Sequence, residues 1–224
     1  MTVKENLQKI QEEIAAACQR SGRNLNDVKI IAVTKYVTVE RTQQALDAGV
    51  FHIGENRVEG LLEKTNSINA DPVLHFIGSL QSKKVKKVID HIDYLHSLDR
   101  LSLAEEIQKR WSSQEPLKCF VQVNVSGEES KSGLDPNQII SFIHDLSLFP
   151  AIQVVGLMTM APFVENSEET RPVFKQLRLL QQEVQALSLE HAPCTELSMG
   201  MSNDYIIAVE EGATFIRIGS SLVG

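Results

Sequence analysis

A short β-branched apolar run, a polar break and an amphipathic helix follow one another along this chain again and again, and that alternation limits its fold more than any other feature. The runs are KIIAVTK (29–35), FHIGEN (51–56), LHFIG (74–78), YLHSLD (94–99), KCFVQVNV (118–125), IQVVGLMTM (152–160), CTELSMG (194–200) and FIRIGS (215–220). Between them, VERTQQALDAG, SLAEEIQKRW and RPVFKQLRLLQQEVQALS carry apolar residues at spacings of three and four, the period of one helix face. Such alternation requires right-handed crossovers and a parallel sheet. Eight units within 224 residues predict an α/β fold closed into a (β/α)8 TIM barrel. A doubly wound open sheet is the alternative, disfavoured by the number of units and by the lack of a GxGxxG turn after the first strand. An extra helix is expected over residues 4–21, and it is expected to cover part of the gap left by a missing or abbreviated last helix. No Pro/Gly linker divides the sequence, which predicts one domain over 1–224. The segment NVSGEESKSGLDP (124–136) is the longest loop-like stretch and reads as a flap over one end of the barrel.

In such a barrel the active site lies at the C-terminal ends of the strands, so the residues that end each run are the candidates. They include Lys35, Glu55, Asn56, Gly78, Ser79, Asp99, Asn124, Met160, Ser198, Gly200, Gly219 and Ser220. Polar strand ends are common, and the last two are the more specific. Ser198-Met199-Gly200-Met201-Ser202 runs from a strand into a helix expected to be capped by Ser202 or Asn203, and Arg217-Ile218-Gly219-Ser220-Ser221 sets glycine and hydroxyls after the final strand. Barrels commonly bind phosphate at these two loops, where free backbone N–H groups and a helix dipole meet an anion. A phosphorylated ligand is the expectation. Lys35 then has two readings. It is a rim lysine that snorkels or pairs with a carboxylate, or it is an amine kept dry enough in an apolar mouth to attack a carbonyl and form a Schiff base. A phosphate site across the mouth favours the second. Arg217, inside the apolar run FIRIG, needs a partner because a buried guanidinium without one is costly; it serves the site or pairs with a barrel carboxylate such as Glu196.

Other classes of function are disfavoured. A formal net charge of −7 argues against nucleic-acid binding, which needs clustered positive charge. The run Lys83, Lys84, Lys86 and Lys87 reads as a solvated helix face. Cys18, Cys119 and Cys194 are far apart and odd in number, which fits reduced, buried thiols better than disulfides or a metal site. Apolar runs are short and interrupted by charge, so neither a membrane span nor a signal peptide is expected, and the chain reads as cytoplasmic. His52, His75 and His96 read as core or rim histidines, with no zinc-like spacing. Glu55 is expected to pair with Arg57 or with a lysine of a neighbouring strand.

The stretches IAVTK, HIGENRVEG, LHFIGSLQSKKVK, VQVNVSGEESKSGL, GLMTMAP and LSMGMSNDYIIAVEEGATFIRIGSSLVG resemble the pyridoxal phosphate homeostasis protein family, and they span nearly all of residues 29–224. The resemblance implies a barrel like that of fold-type III pyridoxal phosphate enzymes, the alanine racemase N-terminal domain among them, with pyridoxal 5′-phosphate held as a Schiff base on Lys35. It implies that Arg217 faces the pyridine nitrogen, that Ser198, Gly200, Gly219 and Ser220 hold the phosphate, and that Asn56, Ser79 and Met160 line the ring pocket. It also implies a role for Lys131 in passing the cofactor on. The family usually has threonine where Ser220 stands, a change that keeps the hydroxyl. The related enzymes add a β-domain through which they dimerise, and no sequence follows Gly224 to build one, so a monomer is expected. Tyr36 is expected to point away from Lys35 by strand alternation, and Tyr205 to be a packing residue. No second acid or base is therefore evident for inverting a stereocentre. The expected function is storage, buffering or delivery of the cofactor, with apo-enzymes as possible recipients and without substantial turnover. A weak amino-acid racemase and a Schiff-base aldolase of phosphorylated sugars stay open as alternatives.

Overall fold

The structure is a computed structural model that describes residues 2–128 and 132–224. It opens with helix α1 (Val3–Ser21), whose start is fixed by a capping box between Thr2 and Glu5. Its buried residues Val3, Leu7, Ile10, Ile14, Ala17 and Cys18 recur at three and four, which gives one apolar stripe to bury. It stops at Gly22, whose φ of 67° is the left-handed conformation that glycine supplies at helix ends.

Strands and helices then alternate as the sequence predicts. The strands are β1 (Lys29–Val33), β2 (His52–Glu55), β3 (Val73–Phe76), β4 (Tyr94–Leu98), β5 (Leu117–Gln122), β6 (Ile152–Met158), β7 (Glu196–Met201) and β8 (Phe215–Ile218). The helices between them are α2 (Val39–Asp47), α3 (Val58–Ser67), α4 (Val85–Val88), α5 (Leu101–Arg110), α6 (Ile139–Asp145), α7 (Arg171–Ala186) and α8 (Tyr205–Glu210), and α9 (Ser220–Val223) follows β8. Every strand pairs in parallel with the next, and β1 pairs with β8 through Lys29↔Phe215 to Ala32↔Ile218. The barrel is closed.

Two cores result. The larger lies between the barrel wall and the helices. A smaller one, Ile31, Phe120, Val155, Met158 and Phe215, fills part of the barrel interior. The last helix is a single turn, and α1 packs against α8 and α9. Asn6 Nδ2 donates to the carbonyl of Leu222 at 3.0 Å, which ties α1 to the end of the chain. The expected covering of the gap is thus observed. Among the described residues no helix is long and apolar enough to cross a membrane. Lys83, Lys84, Lys86 and Lys87 are all exposed, and the three cysteines are free and buried.

Two boundaries near the site differ from expectation. The first strand stops at Val33, not Lys35. Helix α8 begins after Asp204, with neither Ser202 nor Asn203 as its cap; the Asp204 carboxylate instead turns back to accept from the Met201 N–H at 2.6 Å. The proposed flap falls partly on residues 129–131, outside the described residues. Its C-terminal side returns to β5, where Leu134 N–H donates to Gln122 and Asn124 N–H donates to Leu134, both at 2.9 Å.

Candidate functional site

A cavity of about 650 Å³ opens at the C-terminal ends of the strands and is lined by Lys35, Asn56, Ser79, Met160, Arg217, Gly219 and Ser220 among others. Seven of the expected residues therefore meet in one place. Ser198 and Gly200 do not line it, and Lys131 lies outside the described residues.

Thr34, fully buried at the end of β1, donates its hydroxyl to Glu55 Oε1 at 2.6 Å. Lys35 follows in a turn and is exposed. The dry ammonium expected from a strand position is not observed, because the strand has already ended. For the same reason alternation fails for Tyr36. Its ring lies 5.1 Å from Lys35 Nζ and lines the same cavity, instead of pointing away. Among the described residues no ion pair joins a carboxylate to Lys35, so the pairing half of the rim reading finds no partner there, while the exposure of Lys35 fits the snorkelling half.

Beneath this turn Glu55 pairs with Lys64 of α3, and both are buried. Neither Arg57 nor a strand lysine is the partner, contrary to expectation; Arg57 instead sits over the Tyr36 ring. Lys64 Nζ also donates to the Thr34 carbonyl at 2.5 Å. The pair therefore braces the backbone that carries Lys35. The signal for it was present in the sequence: Val58, Leu61 and Lys64 fall three apart on the buried side of α3.

On the next wall Asn56 Oδ1 is buried with no partner among the described residues, and Ser79 stands beyond it. Gly78 makes this corner, since a Cβ there would meet the Asn56 carbonyl oxygen at 2.3 Å. The floor belongs to Arg217, which is 4% exposed. Its Nη1 donates to Ser198 Oγ at 2.6 Å and its Nη2 to the Thr159 carbonyl at 2.8 Å. Glu196, the carboxylate considered for it, pairs with Lys29 at 3.5 Å. Burial lowers the pKa of Arg217 to about 10, opposed by the charge of Asp204, so the guanidinium is protonated at neutral pH.

The remaining side is built from the loops after β7 and β8. Ser202 Oγ accepts from the Gly219 N–H at 3.3 Å, and Ser202, Gly219 and Ser220 all line the cavity. Helix α9 starts here with no side-chain cap, so backbone donors face this end. The structure explains the other two expected residues differently. Ser198 is fully buried beneath Arg217. Gly200 has φ +90°, and a Cβ there would lie 2.5 Å from the Ala208 Cβ, so glycine is needed for α8 to pack closely on β7. Ser202, four residues beyond Ser198, presents its hydroxyl where Ser198 was expected to.

His52, His75 and His96 lie in the barrel interior and bond to one another and to Ser198. Among the described residues no cluster of His, Cys, Asp or Glu is arranged to hold a metal. Tyr205 is buried and donates to Glu13 of α1, a packing role as expected. Burial and that carboxylate raise the phenol's pKa.

Residues 6–224 match the family model of the alanine racemase N-terminal domain. A pyridoxal phosphate homeostasis protein of Aquifex aeolicus is 40% identical, covering 100% of this chain and 98% of the relative. The protein of that name from Mus musculus is 34% identical over 97% of this chain and 85% of its own length. Among solved structures, PipY of Synechococcus elongatus with PLP bound superposes with a TM-score of 0.80 at 34% identity, covering 96% of this chain and all, 100%, of that one. An alanine racemase of Clostridium difficile, 15% identical with a TM-score of 0.76, covers 99% of this chain, which spans 56% of the enzyme, and shares the fold. The chain belongs to the pyridoxal phosphate homeostasis protein family.

Proposed function

We propose that this chain binds pyridoxal 5′-phosphate in the cavity, attached covalently through the Lys35 amine, and keeps that cofactor available to the cell without substantial catalytic turnover. The observation that carries the reading is the meeting of a lysine amine, a buried guanidinium and the β7 and β8 loops around one cavity of about 650 Å³. The orphaned buried Oδ1 of Asn56 in its wall is a polar atom that a ligand would satisfy. The residues fit the group. Ser202, Gly219 and Ser220 would take the phosphate, Asn56, Ser79 and Met160 would flank the ring, and Arg217 would meet the pyridine nitrogen. Bound pyridoxal phosphate supplies a reactive aldehyde and an electron-withdrawing ring. An arginine, which has no acceptor atom, favours an unprotonated ring nitrogen and so weakens that withdrawal. Support for this reading comes also from the relatives' names and from the PLP held by PipY. A monomer that hands the cofactor to apo-enzymes is the form in which the role is proposed.

Reconstitution followed by borohydride reduction and peptide mass analysis tests the attachment. Lys35→Ala is expected to lose the visible absorbance of the bound cofactor while far-UV circular dichroism stays unchanged. Covalent attachment persisting in that variant would sink the assignment. Delivery is tested by transfer to an apo-enzyme in the presence of a trap for free aldehyde. A second reading, slow racemisation of amino acids, is favoured by Tyr36 sharing the cavity with Lys35; release of the opposite enantiomer by the loaded protein would support it.

A further inference from the structure

Three histidines cross the barrel interior in single file. His52 opens β2, its register partner on β3 is Val73, and His75 stands two residues further on. His75 in turn pairs with Tyr94 on β4, and His96 stands two residues beyond that. A step of two keeps each ring on the same face of its strand, and each step climbs toward the C-terminal end of the barrel. The diagonal runs from half-buried His52 to fully buried His96 below the cavity. Its links are His52 Nδ1 to His75 Nε2, His75 Nδ1 to His96 Nε2 and His96 Nδ1 to Ser198 Oγ, each 2.9 Å. Arg217 completes it through its bond to Ser198. His75 stacks on Tyr94, His96 stacks on Phe120, and Phe215 packs against all three imidazoles.

A hydrogen bond between two imidazoles holds one proton, so the links constrain one another. Arginine only donates, and Ser198 Oγ must accept from it. The hydroxyl proton of Ser198 then needs an acceptor in a fully buried site, and among the described residues His96 Nδ1 is its bonded neighbour. His96 is therefore neutral with its proton on Nε2. That proton goes to His75 Nδ1, and the Nε2 proton of His75 goes to His52 Nδ1. The reverse order would leave the serine proton without a partner in the core. The charged groups that face the file are Lys29 and Asp93 near its lower end, with Lys29 paired to Glu196, Lys118 over the Tyr94 ring, and Arg217 above. Burial, reinforced by His52 and Lys29 at His75 and by His75 and Arg217 at His96, holds both inner rings well below the ordinary imidazole range. They stay neutral.

We propose that His96, His75 and His52 are positioning residues for Arg217: a file of Nε2–H tautomers that ends on Ser198, fixes the guanidinium at the cavity floor, and registers at His52 whether that anchor is in place. The role of Arg217 toward a cofactor ring rests on the function proposed above; the tautomer order does not.

Long-range 1H–15N correlation of the full chain, labelled with 15N-histidine and free of cofactor, reads the protonation of every ring nitrogen. Couplings across the N–H···N bonds identify the bonded pairs. At neutral pH all three rings are expected with Nε2 protonated and Nδ1 bare. Arg217→Met removes the donor that sets the direction, and His52, at the opposite end of the file, is expected to pass from one tautomer to a mixture of two. A histidine that only fills space would not respond. A wild-type ring protonated on Nδ1 or on both nitrogens, or a folded Arg217→Met protein with His52 unchanged, overturns the proposal. If Arg217→Met does not fold, Ser198→Ala removes the same anchor and gives the same reading, and the wild-type spectrum alone is decisive. Failure of the cofactor reading shows separately, as no adduct on Lys35, and leaves these spectra untouched.

Discussion

Acidification is expected to destabilise this fold through its buried histidines, starting near the pH at which an unfolded imidazole takes up a proton. His75 and His96 are fully buried, and their pKa values lie well below the ordinary imidazole value. An unfolded histidine takes up a proton near pH 6.5. Below that pH the unfolded state binds more protons than the native state, so stability rises with pH and falls on acidification. The contribution of these two rings is thus fully present above the unfolded pKa. It is lost as pH falls from there toward the depressed folded values. Each ring contributes a limiting slope of about 1.4 kcal/mol per pH unit, and the two together about 2.7 kcal/mol. Integrated from pH 7.5 to 5 for rings that take up no proton in the native state, the loss reaches at most about 4 kcal/mol, a large part of the ~5–15 kcal/mol that a domain usually has. His52, half-buried and lowered by burial and Lys29, adds a smaller amount in the same direction. The assay is urea unfolding at half-unit pH intervals, followed by circular dichroism and by fluorescence of the single tryptophan, Trp111. His75→Phe keeps an aromatic ring against Tyr94 and removes one titrating group, so its slope is expected to be shallower by about 1.4 kcal/mol per pH unit. A wild-type slope below that of one proton between pH 6 and 5 would refute the reasoning, because it would mean that the interior rings accept protons while folded.

Lys64→Met strands the Glu55 carboxylate in a site where it is 1% exposed. The loss is expected to be about 3–5 kcal/mol, the usual result of breaking one side of a buried ion pair. Lys64→Met combined with Glu55→Leu removes both charges and is expected to recover most of that loss in the same urea assay; a double variant no better than the single one refutes the pairing. Gly200→Ala forces a side chain onto φ +90° and against Ala208. It is expected to cost about 2–5 kcal/mol from strain and overpacking together and to weaken cofactor retention, since Ser202 lies in the turn that joins Gly200 and β7 to α8. Retention of wild-type stability would show that α8 moves away at little cost.

The barrel was legible because its signal is periodic and repeated: runs such as IQVVGLM and stripes such as that of α7 stand out without knowledge of tertiary contacts. Much of the cavity was legible for a related reason, since strand order alone brings Lys35, Asn56, Ser79, Gly219 and Ser220 to one end. What escaped depends on a single residue of register or on a contact between distant elements. Ending β1 at Val33 turned Tyr36 into the cavity. Ser198 lies within β7 and Ser202 four positions later in the turn that follows it, and only the path of β7 decides which one lies under Arg217 and which one faces the cavity. Lys64 was visible as a lysine on a buried stripe, but its partner Glu55 lies on another element. The file of histidines needed the stagger between neighbouring strands, which no single run encodes.

The partners of Arg217 also bear on the proposed role. A carboxylate in contact would neutralise the guanidinium and free its charge from the cavity. Here the contacts are a serine hydroxyl and a main-chain carbonyl, both neutral, and the nearest acidic influence is Asp204 acting through space. The positive charge therefore points at the cavity floor largely uncompensated. A ring nitrogen placed against it would be disfavoured from taking a proton, because two like charges would then face each other in a buried site. Such a ring draws electrons from a substrate carbon less strongly than a protonated one, whereas reversible attachment to an amine needs no ring proton. An arginine held by neutral neighbours would thus set the protonation of a ring nitrogen placed against it, and through that the electron demand of the ring.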